Sequence, residues 1–384
     1  MAAIVARWLD RLDAVDASAW DSLHDGSNPF VAHAFLAGLE REGCLQPRHG
    51  WTPHHPTLWR DGELIAAAPG YIKTNSHGEF VFDFAWARAY DAHGHDYYPK
   101  LLIAVPYSPV PGPRLLAHDA EARAALLAEI ETEMRRGRFS SAHVNFHLAD
   151  EGAAFEEAQW LSRLDVQYHW ENDPRTRGWK TFDDFLAAMD HKHRKNLKQE
   201  RAKVQRAGVS FRVVHGDEAR EDDLDAMHHF YQRTFADYGN FPALTRGFFG
   251  HLAKAMPRNL VLFLAQREGR SIAGAFCLRG ADALYGRYWG ADELLPGLHF
   301  ETCYHQGIDY CLREGLSRFE PGAQGEHKIA RGFLPTLTRS HHRIADPAFS
   351  AAIAPWCAEE RAATLRYRDS AMRHSPFRHE GAAP

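Results

Sequence analysis

The sequence predicts an α/β fold of two tandem domains, each a mixed, largely antiparallel sheet flanked by helices. Three observations carry that expectation. A hairpin pattern occurs twice, each copy continues through an aromatic segment, a helix and a further strand, and a polar break separates the two copies. At 384 residues the chain suits about two cores, because single cores rarely grow beyond roughly 250–300 residues.

The first hairpin is HPTLWRDGELIAAAPGYI, residues 55–72, turning at Asp61-Gly62. The second is LVLFLAQREGRSIAGAFCL, residues 260–278, turning at Glu268-Gly269. Turns of this type between apolar runs are the strongest short-range hairpin signal. An aromatic strand is expected after each, EFVFDFAWARAY (79–90) and ALYGRYWGA (283–291), followed by helices Ala120–Arg136 and Phe300–Arg313. Strands from Ser140 (SSAHVNFHL) and from Ser317 (SRFEPG) complete the two copies, and duplication of one α/β unit is the economical reading.

The break falls at residues 168–180, polar and holding Pro174 and Gly178. Beyond it Thr181 is expected to cap a helix, with Asp184 at the reciprocal position. The expected division is 1–170, 171–345 with a basic linker helix over 182–207, and a helical tail over 346–384. That tail is expected to be helical from Ala348 to about Met372 and irregular over SPFRHEGAAP.

A formal charge of −5 gives no global attraction to nucleic acid or membrane, so any anion site must be a local patch. Cys44, Cys277, Cys303, Cys311 and Cys357 show no CxxC or zinc-finger spacing, which points to reduced thiols. No apolar run approaches the ~20 residues of a membrane span, so a cytoplasmic protein without stable membrane insertion is expected. The 25 histidines include the pairs His54–His55, His228–His229 and His341–His342. Adjacent rings point in different directions and HExxH is absent, so no metal site is expected.

Two segments carry candidate chemistry. HKHRKNLKQERAKVQRAGV (191–209) holds Lys192, Arg194, Lys195, Lys198, Arg201, Lys203 and Arg206 against one acid, Glu200. Arg194, Lys198 and Arg201 form one stripe at i, i+4 and i+7, and Gly208 suits the helix end. Like charges without i,i+4 partners repel, which favours an anionic partner such as RNA or another phosphate over a plain solvated face. Lys192, Arg194, Lys195, Lys198 and Arg201 are the phosphate or RNA candidates.

The second segment, FEPGAQGEHKIARGFLPTLTRSHH (319–342), starts where a strand ends and is punctuated by Gly322, Gly325 and Gly332. Ligands in open α/β sheets bind beyond the carboxyl ends of strands. Acyl transfer needs a base and positive charge near the oxyanion. Glu320, Glu326, His299 and His327 are base candidates, and Lys328 and Arg331 are oxyanion or phosphate candidates. Tyr288, Trp289, Glu301, Tyr304, Gln324 and His327 are candidate substrate contacts.

The TFDDF-type helix, the basic helix and the strand after it resemble the Fem-type (FemAB/FemX) branch of the GNAT superfamily. The segments NPFVAHAFLAGLE, LHFETCYHQGIDYC and FEPGAQGEHKIARGF resemble its bacterial FemAB-like subfamily, described as peptidoglycan biosynthesis or recognition proteins. The resemblance covers most of residues 20–350. It implies two tandem GNAT-like domains and transfer of an aminoacyl group from aminoacyl-tRNA, a co-substrate rather than a cofactor, to an amine of a peptidoglycan precursor.

The CoA pyrophosphate loop of GNAT enzymes has no good match in ARAYDAHGHDYY or YWGADELLPGLHF, which disfavours acetyl-CoA as donor. The family's lysine nearest the chemistry aligns with Ala330 or Arg331, so Lys328 or Arg331 would have to substitute. An acyl-CoA-dependent N-acyltransferase and a non-catalytic binder of cell-wall fragments are the alternatives.

Overall fold

A computed structural model describes residues 3–173 and 177–378 of the chain. They form two compact units. The first runs to residue 165 and resumes over 337–366; the second covers 166–336 and resumes at 367. Each is built of mixed, largely antiparallel sheet with helices against it, the fold class the sequence predicts.

In the first unit β1 (Ile4–Leu9), β2 (Trp51–Pro53), β3 (His55–Arg60), β4 (Glu63–Ala67), β5 (Gly70–Lys73), β6 (Lys100–Ile103), β7 (Leu116–Ala117) and β8 (Ser141–Asn145) come in chain order. The hairpin β3–β4 turns where expected, with Asp61 at φ 52° and Gly62 at φ 85°. Two successive positive φ values make a turn whose twist matches the strands it joins. β1, β3, β4 and β7 form an antiparallel sheet, while β2, β5, β6 and β8 belong to another, in which β2–β5 and β5–β6 pair antiparallel and β6–β8 parallel. The helix Ala120–Arg136 covers a core of Leu58, Leu101, Ile103, Leu126, Ile130 and Val144.

The expected strand at 79–90 is instead a loop followed by a helix, Phe84–Ala92. The alternating aromatics suggest period two, but Ala85, Ala87 and Ala89 are strong helix formers. On a helix Trp86 and Tyr90 fall one turn apart and are both buried, while Phe82 and Phe84 stay exposed.

The chain enters the second unit within β9 (Leu161–Glu171). Thr181 caps Phe182–Ala188 with a reciprocal Asp184 bond, as expected. The linker helix expected over 182–207 is two helices, because Met189 is extended (ψ 159°) and the Asp190 carboxylate caps the second, His191–Arg206. Gly208 follows at φ 74°.

β10 (Ser210–His215), β11 (Leu260–Arg267), β12 (Arg270–Arg279) and β13 (Ala283–Ala291) form an antiparallel run; Glu268 (φ 52°) and Gly269 (φ 76°) make the expected second turn. β14 (Arg318–Glu320) lies parallel to β13 and antiparallel to β9. The helix expected over 300–313 runs Leu298–Glu314, with one π-helical turn at Glu301–His305. Trp170, Phe185, Leu197, Ile308, Phe319 and Phe333 are among the buried side chains of this unit's core.

β15 (Leu334–Ile344) returns the chain to the first unit, where Ser340 to Ile344 pair with β8. That pairing is why residues 337–366, which the sequence reading divides between second domain and tail, pack with the first unit. The last helix is Pro347–Met372. Of the tail expected to be irregular, Phe377 bridges Met189 and stacks on Trp179, while residues 379–384, like Pro174 in the polar break, lie outside the described residues. Among the described residues no helix is long and apolar enough to cross a membrane.

Candidate functional site

The site begins where two parallel strands part. β13 and β14 pair over three positions, from Ala283 opposite Arg318 to Tyr285 opposite Glu320. Pro321 then ends β14, having no N–H to give the ladder, while β13 runs on to Ala291. The register of β12 against β13 slips between Phe276 and Cys277, leaving Arg287 as the extra residue of a bulge. Bulges re-aim side chains. Gly286 keeps the fork narrow: a Cβ there would lie 3.2 Å from the Pro321 Cα.

A cavity of about 290 Å³ occupies this fork. It gathers Tyr288, Trp289, His299, Tyr304, Gln324, His327 and Lys328 from three separate stretches of the sequence reading, together with Arg287, Cys277 and Cys303. β13 supplies the first two, the π-turned helix supplies His299 and Tyr304, and the loop beyond β14 supplies the remainder.

Lys328 is 3% exposed, and its Nζ donates to the Gly322 carbonyl at 2.7 Å. Burial, aided by the charge of Arg287, holds its pKa down at about 8. Gly322, at φ 100°, adopts a backbone that brings its carbonyl to the amine without a Cβ in the way. Burial also depresses the half-buried Arg287 below its ordinary range.

Tyr304 Oη and His327 Nε2 are hydrogen bonded at 2.9 Å, and burial raises the Tyr304 phenol well above its usual range. His299 packs between the Trp289 ring at 5.1 Å and the Tyr304 ring at 5.4 Å. Burial, then His327, Lys328 and Arg331, push it down to about 4, so it is a neutral imidazole at pH 7. His327 is lowered for the same leading reason. The cavity therefore offers two cations, two neutral imidazoles and the phenols of Tyr288 and Tyr304.

Four other candidates sit near this cavity without lining it. Glu320 lies behind the wall, 3.1 Å from the Arg318 guanidinium, with burial raising its pKa to about 7. Glu326 faces outward and accepts from the Tyr367 hydroxyl at 2.5 Å. Glu301 is buried against Arg201 (3.3 Å) and accepts from Gln306 (2.7 Å). Arg331 binds Glu200 at 2.5 Å and the His327 carbonyl at 2.7 Å, with its guanidinium 3.4 Å from the centre of the Phe300 ring. It holds the loop that carries His327 and Lys328.

On the basic helix Lys192, Lys195 and Lys198 are exposed and Arg194 is half-buried. Lys198 comes 4.0 Å from Asp183. Arg194, Lys195, Lys198 and Arg206 share a shallow depression. Arg201 departs from this stripe, turned to Asp309 (2.6 Å), Glu301 and the Phe182 ring. The acids missing along the helix are supplied from other elements.

Sequence reasoning missed Arg287. Its available signal was Gly286 in LYGRYWG, since a glycine inside a strand pattern suggests a bulge. Among the described residues no group of three His, Cys, Asp or Glu side chains could hold a metal ion.

The FemAB-like family model, described as peptidoglycan biosynthesis/recognition, matches residues 11–379. No curated protein matches the chain. The crystal structure of FemX is 10% identical with a TM-score of 0.55, over 88% of this chain and 98% of FemX. The structure of L-PGS from Bacillus licheniformis is 10% identical with a TM-score of 0.52, over 94% of this chain and 98% of that one. At such identity they share the fold with this chain.

Proposed function

The chain belongs to the FemAB-like family, and from that premise we propose that it is an N-acyltransferase whose reaction centre is the cavity between β13 and β14. The donor is an aminoacyl-tRNA and the acceptor an amine of a peptidoglycan precursor. The observation that carries this reading is the buried Lys328 amine, held by one carbonyl at the edge of a cavity that also holds Arg287 and two neutral imidazoles.

The acceptor nitrogen attacks the ester carbonyl of the aminoacyl group. Lys328, still an ammonium at pH 7, and Arg287 stabilise the oxyanion that forms. In the tautomer that donates Nε2–H to the Tyr304 oxygen, His327 carries a lone pair on Nδ1 and takes the proton leaving the amine. As the C–O bond breaks, the Lys328 ammonium passes a proton to the departing ribose oxygen. Amide and free tRNA result. Lys192, Arg194, Lys195 and Lys198 on the basic helix receive tRNA phosphates.

The test is single-turnover transfer of radiolabelled amino acid from charged tRNA to amine-bearing peptidoglycan precursors. A labelled amide is expected, with a rate that Lys328→Met lowers by about 10²–10³-fold. Absence of labelled product from every charged tRNA sinks the tRNA donor. A thermal shift by CoA thioesters in that case would move the donor to acyl-CoA.

A further inference from the structure

The cavity is chemically one-sided. Among the described residues that line it, Arg287 and Lys328 are cationic and none carries a carboxylate. Glu320 does not line it; it pairs with Arg318 at 3.1 Å and its charge also reaches Arg287 from outside the lining. Among the described residues the Gly322 carbonyl is the only hydrogen-bond partner of the Lys328 amine. An ammonium has three donors, so two are buried without a protein acceptor, and leaving buried donors unpaired is costly. Trp289, Tyr304 and the neutral His299 complete the wall without fixed negative charge. Their faces attract cations only weakly compared with the repulsion of two full charges in a confined site.

We infer that this cavity recognises an anionic oxygen group on the transferred acyl moiety, such as an acidic side-chain carboxylate, and rejects a basic one such as a lysyl side chain. This rests on the cavity being the acyl-transfer site. Every aminoacyl group brings the same α-ammonium, so the side chain decides. An acidic group brings acceptor oxygens to Arg287 and the free donors of Lys328, whereas a lysyl group adds a further cation.

Titration calorimetry of the full chain with N-acetylglutamate, inorganic phosphate and Nα-acetyllysine amide tests this. N-acetylglutamate should bind at least about tenfold more tightly than the lysine probe. Arg287→Gln should remove that preference and Arg287→Lys should keep it, with thermal melts establishing that both fold. Lys328→Gln serves as the second reporter if Arg287→Gln does not fold. Phosphate competing with N-acetylglutamate also supports the inference, whereas phosphate binding without N-acetylglutamate overturns it and moves the anion to a phosphate-bearing donor. Equal binding of all three probes, preference for the lysine probe, or binding of none overturns the inference. Transfer activity without any anion preference would overturn it while leaving acyl transfer standing; anion preference without transfer from any donor would do the reverse.

Discussion

Two buried lysines, one in each unit, show how different the same side chain becomes in different company. Lys100 in the first unit is fully buried at the start of β6, bonded to Glu79 (2.8 Å), Ser76 (3.0 Å) and Asp83. Burial alone would lower its pKa, but the two carboxylates overcome that and raise it. Lys328 in the second unit is nearly as buried and has one carbonyl, so burial prevails and its pKa falls to about 8. One lysine is consumed by structure and the other is held open. Burial by itself therefore does not single out a functional candidate; donors without protein partners beside a cavity do.

The comparison can be broken most directly by removing each amine. Lys100→Met leaves Glu79 and Asp83 buried with only Lys73, 4.0 Å from Glu79, as a nearby cation, and should cost about 3–5 kcal/mol of stability in urea unfolding. Lys328→Met removes an unfavourably buried amine and should leave stability unchanged or slightly raised. Equal losses for the two would dissolve the distinction.

A smaller effect separates them by pH. The folded pKa of Lys328, about 8, lies below the ordinary 10.5, so between those values the unfolded chain binds more protons and folding gains stability as pH rises. From pH 7 to pH 9 that gain amounts to about 1 kcal/mol, read as the change in the stability difference between wild type and Lys328→Met. Lys100 is raised above 10.5, so its contribution is fully present below that pH and is lost only as pH climbs through the higher value. The difference between wild type and Lys100→Met should stay flat from pH 7 to 9 as far as this amine is concerned.

The smallest expected change sharpens the open side. Tyr304→Phe removes the bond to His327 and should lower the transfer rate about fivefold, the worth of one ordinary hydrogen bond of about 1 kcal/mol, with little change in unfolding midpoint. A large stability loss instead would make that pair structural.

Much of both units was legible locally. Asp61-Gly62 and Glu268-Gly269 make hairpins because their backbones alone favour the required turn, and Thr181 with Asp184 caps a helix within four residues. The loop after β14 could be singled out because glycines and ionisable groups crowd one short stretch at a strand end. Where neighbours decide, the sequence was ambiguous. Alternating aromatics around Phe84 resemble a strand until Trp86 and Tyr90 find a common buried face. Arg201 and Arg331 look alike as free cations, yet both are committed to carboxylates from distant segments.

The sequence by itself determined the two-part α/β architecture, its hairpins and caps, and the polar, glycine-punctuated loop at 319–333, because these follow from backbone preference and short-range periodicity. Only the tertiary structure decided which charges remain available. Arg287 enters the cavity through a bulge, Arg331 is bound by Glu200, and Lys328 is left with a single carbonyl. Each outcome depends on which distant group arrives within hydrogen-bond reach, and the charge state of a buried group follows from those partners.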